Sequence, residues 1–154
     1  MKSNKAFIAV VSIVLLGYTW VVLAIQNGSL LYQVHNFSPW LATGDYFWQS
    51  VSHPGGLREW VGDWLTQLFA VPCIGASVMV AIWGISAWLT ARTTHLQHAW
   101  RLLALLPALV LMAGITQIGY WLFCLKAPSY WFGPTLGWLG VALGIAGFDI
   151  VCRE

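Results

Sequence analysis

The stretch AFIAVVSIVLLGYTWVVLAI, residues 6–25, decides the fold class because it carries no charged side chain along its whole length. A helix needs about 20 apolar residues to cross the roughly 30 Å of hydrocarbon in a bilayer. Three further runs, residues 68–91, 102–125 and 132–151, also lack Asp, Glu, Lys and Arg in their central parts. Lipid offers no partner to an unpaired backbone group, so each run is predicted to be helical. The sequence thus predicts one membrane domain, residues 1–154, that crosses the bilayer four times.

The composition agrees with a chain that uses lipid as part of its solvent. Hydrophobic residues make up 59% of the 154 residues and charged residues 8%, whereas soluble domains carry about 25% charged residues. The net charge of only +2 argues against nucleic-acid binding. The cysteines, Cys73, Cys124 and Cys152, have no metal-type spacing, although a Cys73–Cys124 disulfide is conceivable on one side of the topology. We therefore predict no metal, no cofactor and no nucleic-acid partner.

The positive charges divide unequally between the two predicted sides of the membrane. One side of a four-span chain would hold Lys2, Lys5, Arg92, Arg101 and Arg153, and the other would hold Arg58 and Lys126. Positively charged loops stay in the cytoplasm, so both termini are predicted to be cytoplasmic and the loop 26–67 to face outward. We expect a multi-pass protein of a bacterial inner membrane.

Tryptophans are predicted to mark the two boundaries of the bilayer, where amphipathic rings sit at headgroup level. Trp88 and Trp100 fall near the inner boundary, and the outer boundary would hold Trp20, Trp121, Trp131 and Trp138. Trp83 falls deeper in its span, and we interpret it as a packing residue.

The fourth span carries a stripe of small residues at alternating spacings of four and three: Gly133, Gly137, Gly140, Gly144 and Gly147. Such a stripe lets another helix approach closely. The neighbour could be a helix of this chain, further transmembrane helices, or another membrane subunit.

The loop between the first two spans has two parts. Its first half, residues 27–48, is polar and aromatic and is interrupted by the breakers Gly28, Pro39 and Gly44. Residues 56–67 show a helical pattern whose apolar face is Leu57, Trp60, Val61, Trp64 and Leu65. This pattern predicts an amphipathic helix on the outer membrane surface, followed by a bend at Pro72. The predicted fold class is therefore all-α, an integral membrane four-helix bundle with an outer-face amphipathic juxtamembrane helix.

Three of the five acidic residues lie in this loop. Asp45 could act as a general base or hold a metal, but its pattern favours the start of a short helix through Val51. Glu59 and Asp63 are four residues apart on one predicted helix. They could hold a cation, although a solvated helix face is the favoured interpretation.

The loop also resembles a known family in several short stretches: DYF at 45–47, HPGGL at 53–57, WLTQLF at 64–69, Pro72, and GA at 75–76. These stretches resemble the start of a family of large bacterial polytopic membrane proteins of unknown function. That family is similar in layout to GT-C glycosyltransferases, which carry an acidic residue in a large outer loop. The resemblance implies that Asp45 is the position to compare with that acid.

Two functions follow from these observations. The favoured hypothesis is a non-enzymatic membrane protein, either a packing partner or a fragment of a larger one. The alternative is a GT-C-like module that acts on a lipid-linked sugar at the outer face, with Asp45 as base. A small transporter is less favoured, because no charge accompanies the Gly and Pro residues that interrupt the spans. The expected partners are the bilayer and either further transmembrane helices or another membrane subunit.

Overall fold

The described chain is built from helices. The computed structural model describes residues 2–38, 40–94, 98–116 and 131–152, and every regular element in these ranges is a helix. The α-helices are α1 (Lys2–Val21), α2 (Gly28–Phe37), α3 (Gly44–Val51), α4 (Gly56–Thr66), α5 (Pro72–Thr93), α6 (Leu106–Thr116) and α7 (Gly133–Val151). A π-helical segment, Val22–Gln26, extends α1, and 3-10 segments precede α5 (Gln67–Ala70) and α6 (His98–Leu105).

Three helices in the described ranges are long and apolar enough to cross a membrane. They are Ala6–Gln26, Pro72–Thr93 and Gly133–Val151, with mean hydropathies of 2.5, 1.7 and 1.5. They match the first, second and fourth predicted spans. The described part of the third ends at Thr116 and begins with a 3-10 segment. Residues 117–125, which include Cys124, lie outside the described residues. The complete four-helix bundle therefore stays a prediction.

The core lies where α5 packs against α1, α2 and α7. Trp83 is fully buried at its centre, and its indole Nε1 donates to Thr135 Oγ1 on α7 at 2.9 Å. The prediction that Trp83 is a packing residue is therefore confirmed. Leu23, Phe69 and Met79 are also fully buried in this core.

Trp138 corrects the predicted aromatic belt. Its indole Nε1 donates to Thr90 Oγ1, in the last turn of α5, at 3.3 Å. Trp138 also packs beside Ala87, Ala104 and Leu105. Trp138 therefore lies beside Thr90, which is two residues after Trp88 in the same helix. The assignment of Trp138 and Trp88 to opposite boundaries is wrong. The position of a residue within its own helix can be read from the sequence, but the relative shift of α7 along α5 cannot.

The predicted bend at Pro72 is confirmed. Pro72 lies in the first turn of α5, and Val71 before it is extended at φ −119° and ψ 99°. A proline ring clashes with a helical residue before it, so the chain leaves its 3-10 segment here. Gly75 completes the bend, because a Cβ at this position would lie 2.2 Å from Phe69 Cδ1.

The first half of the loop is more regular than its composition suggested. Gly28 begins α2 instead of breaking the chain, and α2 continues to Phe37 with Leu31 and Val34 buried. We refer to α2, α3 and α4 together as the cap. The cap packs on the N-terminal end of α5 through the Gln67–Ala70 segment.

Candidate functional site

The joint between α3 and α4 depends on two adjacent glycines. Gly55 adopts φ +87°, a conformation that strains other residues. At Gly56, a Cβ would lie 1.7 Å from the carbonyl oxygen of Ser50, so α4 begins in direct contact with the α3 backbone. The backbone N–H of Gly56 donates to His53 O at 3.0 Å and closes the turn. The HPGGL stretch is thus a sharp helix–helix corner.

This corner places Asp63 of α4 beside Tyr46 of α3. The phenol of Tyr46 donates to Asp63 Oδ2 at 3.0 Å, and Asp63 is only 9% exposed. Asp63 Oδ1 is also buried and has no hydrogen-bond partner among the described residues. The expectation of a solvated face is therefore wrong for Asp63. It holds for Glu59, whose side chain is 44% exposed and lies 3.0 Å from His53 Nε2.

Burial controls the acid–base properties of this pair. Desolvation raises the pKa of Asp63, the Tyr46 hydrogen bond opposes that rise, and the nearby charge of Glu59 adds to it. Desolvation and the Asp63 carboxylate also raise the pKa of Tyr46. Asp63 therefore binds a proton more readily than an exposed aspartate, while Tyr46 remains a donor.

A second polar cluster joins the ends of α2 and α4. Thr66 Oγ1 lies 2.6 Å from Asp63 O and 2.8 Å from Ser38 Oγ. The Gln67 side-chain amide donates to Ser38 Oγ at 3.1 Å. Thr66 is fully buried, so these bonds satisfy a polar group that burial would otherwise penalise.

Some residues of the predicted apolar face of α4 pack inside the protein, and others are exposed on its surface. Leu65 is buried at 7% exposure and packs in the protein core, so its placement on a membrane-facing surface is wrong. Trp60 is half-buried and lies edge-on to Phe47 with ring centroids 5.2 Å apart, and Val61 packs against the core. Leu57 and Trp64 are exposed, and their contact with a membrane surface stays a prediction.

Asp45 lies in the first turn of α3 and is exposed. The sequence pattern suggested that Asp45 is the N-cap residue of this helix. Thr43 occupies that position instead, and Asp45 lies two residues further on, inside the helix. The prediction of a short helix from this point through Val51 is confirmed. Asp45 does not join the Tyr46–Asp63 pair. Sequence reasoning missed that pair, although the Gly55–Gly56 corner was a signal that α3 and α4 fold back on each other.

The glycine stripe of α7 faces away from α5. Thr135 and Ala142 are buried on the inward side, and Trp138 joins them there. A residue in an α-helix turns about 100° from its neighbour, so the stripe lies roughly 180° from this inward side. A Cβ on any stripe glycine would meet none of the described atoms within 4 Å. Gly133 at the start of α7 is buried and Gly137 is half-buried. Gly140, Gly144 and Gly147 are exposed.

These features place the chain in the class of all-helical proteins with several apolar helices of membrane-spanning length. Within that class, the chain belongs to a family of unknown function, DUF6057, whose sequence model matches residues 2–144. No curated protein and no solved structure matches the chain. Membership in a family of unknown function agrees with that part of the resemblance seen at residues 45–76. The large polytopic layout and the likeness to GT-C glycosyltransferases stay predictions.

Proposed function

We propose that this chain is a non-enzymatic membrane protein that packs against a second copy of itself through the glycine stripe of α7. The observation that carries the proposal is the orientation of that stripe. The opposite side of α7 packs on α5, whereas Gly140, Gly144 and Gly147 are exposed and face none of the described side chains. Packing within the described chain therefore does not account for these three glycines of the stripe.

The choice of a second copy follows from shape and charge. Two helices approach most closely when both present small residues at the crossing point. The stripe of a second α7 supplies the matching surface, and a twofold axis makes such a contact self-complementary. Residues 133–148 carry no charged side chain, so no repulsion opposes the contact within the bilayer.

Co-purification of two differently tagged copies from co-expressing membranes tests this proposal. We expect the wild-type chains to co-purify, and Gly140→Leu and Gly144→Leu to reduce recovery about tenfold, or about 1.4 kcal/mol. Gly17→Leu is the matched control, because Gly17 is exposed on α1 and also has open space around it. Failure of the wild-type copies to co-purify would overturn the proposal, as would equal losses in Gly17→Leu.

The orientation of the chain is part of the same proposal. The distribution of Lys and Arg supports a multi-pass protein of a bacterial inner membrane with both termini in the cytoplasm. Reporter fusions at Asn36 and Thr94 are expected to report opposite sides. The same side for both would contradict this topology.

A GT-C-like transferase is the second candidate, favoured by the exposure of Asp45 on a helix that the Tyr46–Asp63 bond fixes in place. In this reaction, the Asp45 carboxylate would take the proton of an acceptor hydroxyl. The acceptor oxygen would form a bond to the sugar anomeric carbon while the lipid phosphate leaves.

Sugar release from a lipid-phosphate-linked donor tests this alternative. Asp45→Asn is expected to abolish release, and Glu59→Gln, which removes another exposed acid of the cap, is expected to retain it. Absence of release by the wild-type chain, or equal release by Asp45→Asn, would exclude Asp45 as the base.

A further inference from the structure

The three described helices of membrane-spanning length each have one end at a common level. The first ends at Gln26, and a Cβ on nearby Gly28 would lie 3.5 Å from the Cβ of Pro72, where α5 begins. Phe69, three residues before α5, stacks on Phe132, the residue before α7, with ring centroids 5.2 Å apart. Helices of this length and composition place one boundary of a bilayer at this level.

Helix α4 is held close to this boundary by its connections and its packing. It ends at Thr66, and only residues 67–71 separate it from α5. It also packs against α3 and α7. The position of α4 is therefore fixed relative to the ends of two apolar helices.

The two sides of α4 are reversed relative to a surface helix of a water-soluble protein, which turns its apolar side inward. Asp63 and Thr66 are buried, and their side chains are hydrogen-bonded within the cap. Leu57 and Trp64 are instead 57% and 47% exposed. Seven residues make nearly two turns of an α-helix, so Leu57 and Trp64 lie within about 20° of each other around its axis.

The exposed side of α4 is apolar across its width. Trp60 and Val61 are half-buried and flank Leu57 and Trp64 at roughly 40–60° on either side. We call these four residues the outward face of α4. Arg58 is exposed but lies about 100° from Leu57, outside this face. A helix whose polar side is satisfied within the protein and whose apolar side points outward is suited to an apolar surrounding.

We propose that the outward face of α4 lies in the headgroup region of the adjoining bilayer leaflet, with Leu57 and Trp64 inserted toward the acyl chains. Tryptophan favours this depth because its ring is amphipathic. Lipid is the favoured occupant because exposed apolar side chains continue along the chain from this face to the apolar α5, at Val71 and Ile74.

The charges of the cap indicate what drives this contact. Residues 28–66 contain three acids, Asp45, Glu59 and Asp63, and one cation, Arg58. Attraction to anionic lipid requires an excess of Lys and Arg. Burial of apolar side chains is therefore the driving force. The inference does not depend on self-association through α7.

Spin labels on the full chain in lipid vesicles test the proposal. Leu57→Cys, Trp64→Cys and Arg58→Cys are each made in a chain whose three native cysteines are replaced by serine, and each new cysteine is labelled. Collisions of each label with oxygen, which concentrates in lipid, are compared with collisions with a water-soluble nickel chelate. Arg58→Cys is the matched control, because it places the label on the same helix but outside the outward face. We expect the ratio of oxygen to nickel collisions to be severalfold higher at positions 57 and 64 than at position 58.

Ratios at positions 57 and 64 no higher than at position 58 would overturn the proposal. Immobilised labels shielded from both reagents would also overturn it, because they would show that protein covers this face. We expect the same ratios in vesicles with and without phosphatidylglycerol. Insertion only with this anionic lipid would refute apolar burial as the driving force. Leu57 and Trp64 are both exposed, so each position reports without the loss of a core side chain.

Discussion

Replacing Gly56 with alanine places a methyl group inside the contact between α3 and α4. The new Cβ would lie 1.7 Å from Ser50 O, 2.7 Å from Ser50 C and 3.2 Å from Val51 Cα. All three are backbone atoms, so no side-chain rotation relieves the clash. The two helices must separate until the first distance reaches at least the 3.0 Å that real contacts keep.

The magnitude follows from what that separation breaks. Overpacking of a well-packed site costs about 1–3 kcal/mol, and a clash against the backbone belongs at the upper end. Movement of α4 also lengthens the 3.0 Å bond from Tyr46 to Asp63, and a hydrogen bond to a charged group contributes about 1.5–3 kcal/mol. We expect a loss of about 3 kcal/mol or more. For a chain of this size, that corresponds to a decrease in melting temperature of about 6–12 °C.

Thermal unfolding in detergent, followed by far-ultraviolet circular dichroism, measures this loss. Gly44→Ala is the control, because Gly44 begins α3 and has open space around its Cβ position. Alanine within a helix is favoured over glycine by roughly 0.5–1 kcal/mol, so the control should melt at or slightly above the wild-type temperature. A Gly56→Ala chain that melts within about 2 °C of the wild type, less than about 1 kcal/mol for this size, would refute the close contact.

Three further changes test the cap and the core. The raised pKa of Asp63 means that the folded chain binds more protons than the unfolded chain above the ordinary value of 3.8. Stability of the wild type should therefore fall as pH rises through the raised pKa, and Asp63→Asn should lack this fall in melts run across that range. Thr135→Val leaves the buried indole N–H of Trp83 without its 2.9 Å acceptor, and should cost about 1–3 kcal/mol in the same assay, whereas Thr135→Ser should cost less. Phe69→Ala removes a fully buried ring stacked 5.2 Å from Phe132, and should cost about 3–5 kcal/mol; a loss below about 1 kcal/mol would contradict the described packing.

The apolar helices were predictable because their signal is contained in single segments. Twenty consecutive apolar residues must be helical in lipid whatever surrounds them. The predicted 132–151 span and the observed Gly133–Val151 helix therefore agree closely. Pro72 was predictable for the same reason, since its effect on the preceding residue is local. The relative shift of α5 and α7 brings Trp138 to Thr90. It depends on how two distant segments pack together, so neither segment alone predicts it.

The cap was harder to predict because its burial depends on neighbours. A periodic pattern identifies an apolar face of α4, but it does not show what covers the other sides. Asp63 is buried because the Gly55–Gly56 corner brings Tyr46 over it, across a separation of 17 residues. Composition also gave no indication of α2, because its polar and aromatic residues are typical of a loop. The helix becomes recognisable only when Leu31 and Val34 are seen to be buried in the core. Hydrogen-bond partners of this kind become visible only after the helices are placed together.

Four glycines of this chain show two opposite kinds of surroundings. Gly56 and Gly75 lie where a Cβ would collide with another part of the protein, so their lack of a side chain is explained by contacts already present. Gly140 and Gly144 are exposed and meet none of the described atoms at that distance. Glycine in a helix interior costs roughly 0.5–1 kcal/mol relative to alanine. Gly140 and Gly144 incur that cost without a described internal contact to offset it. A close approach by a second helix would provide the missing compensation.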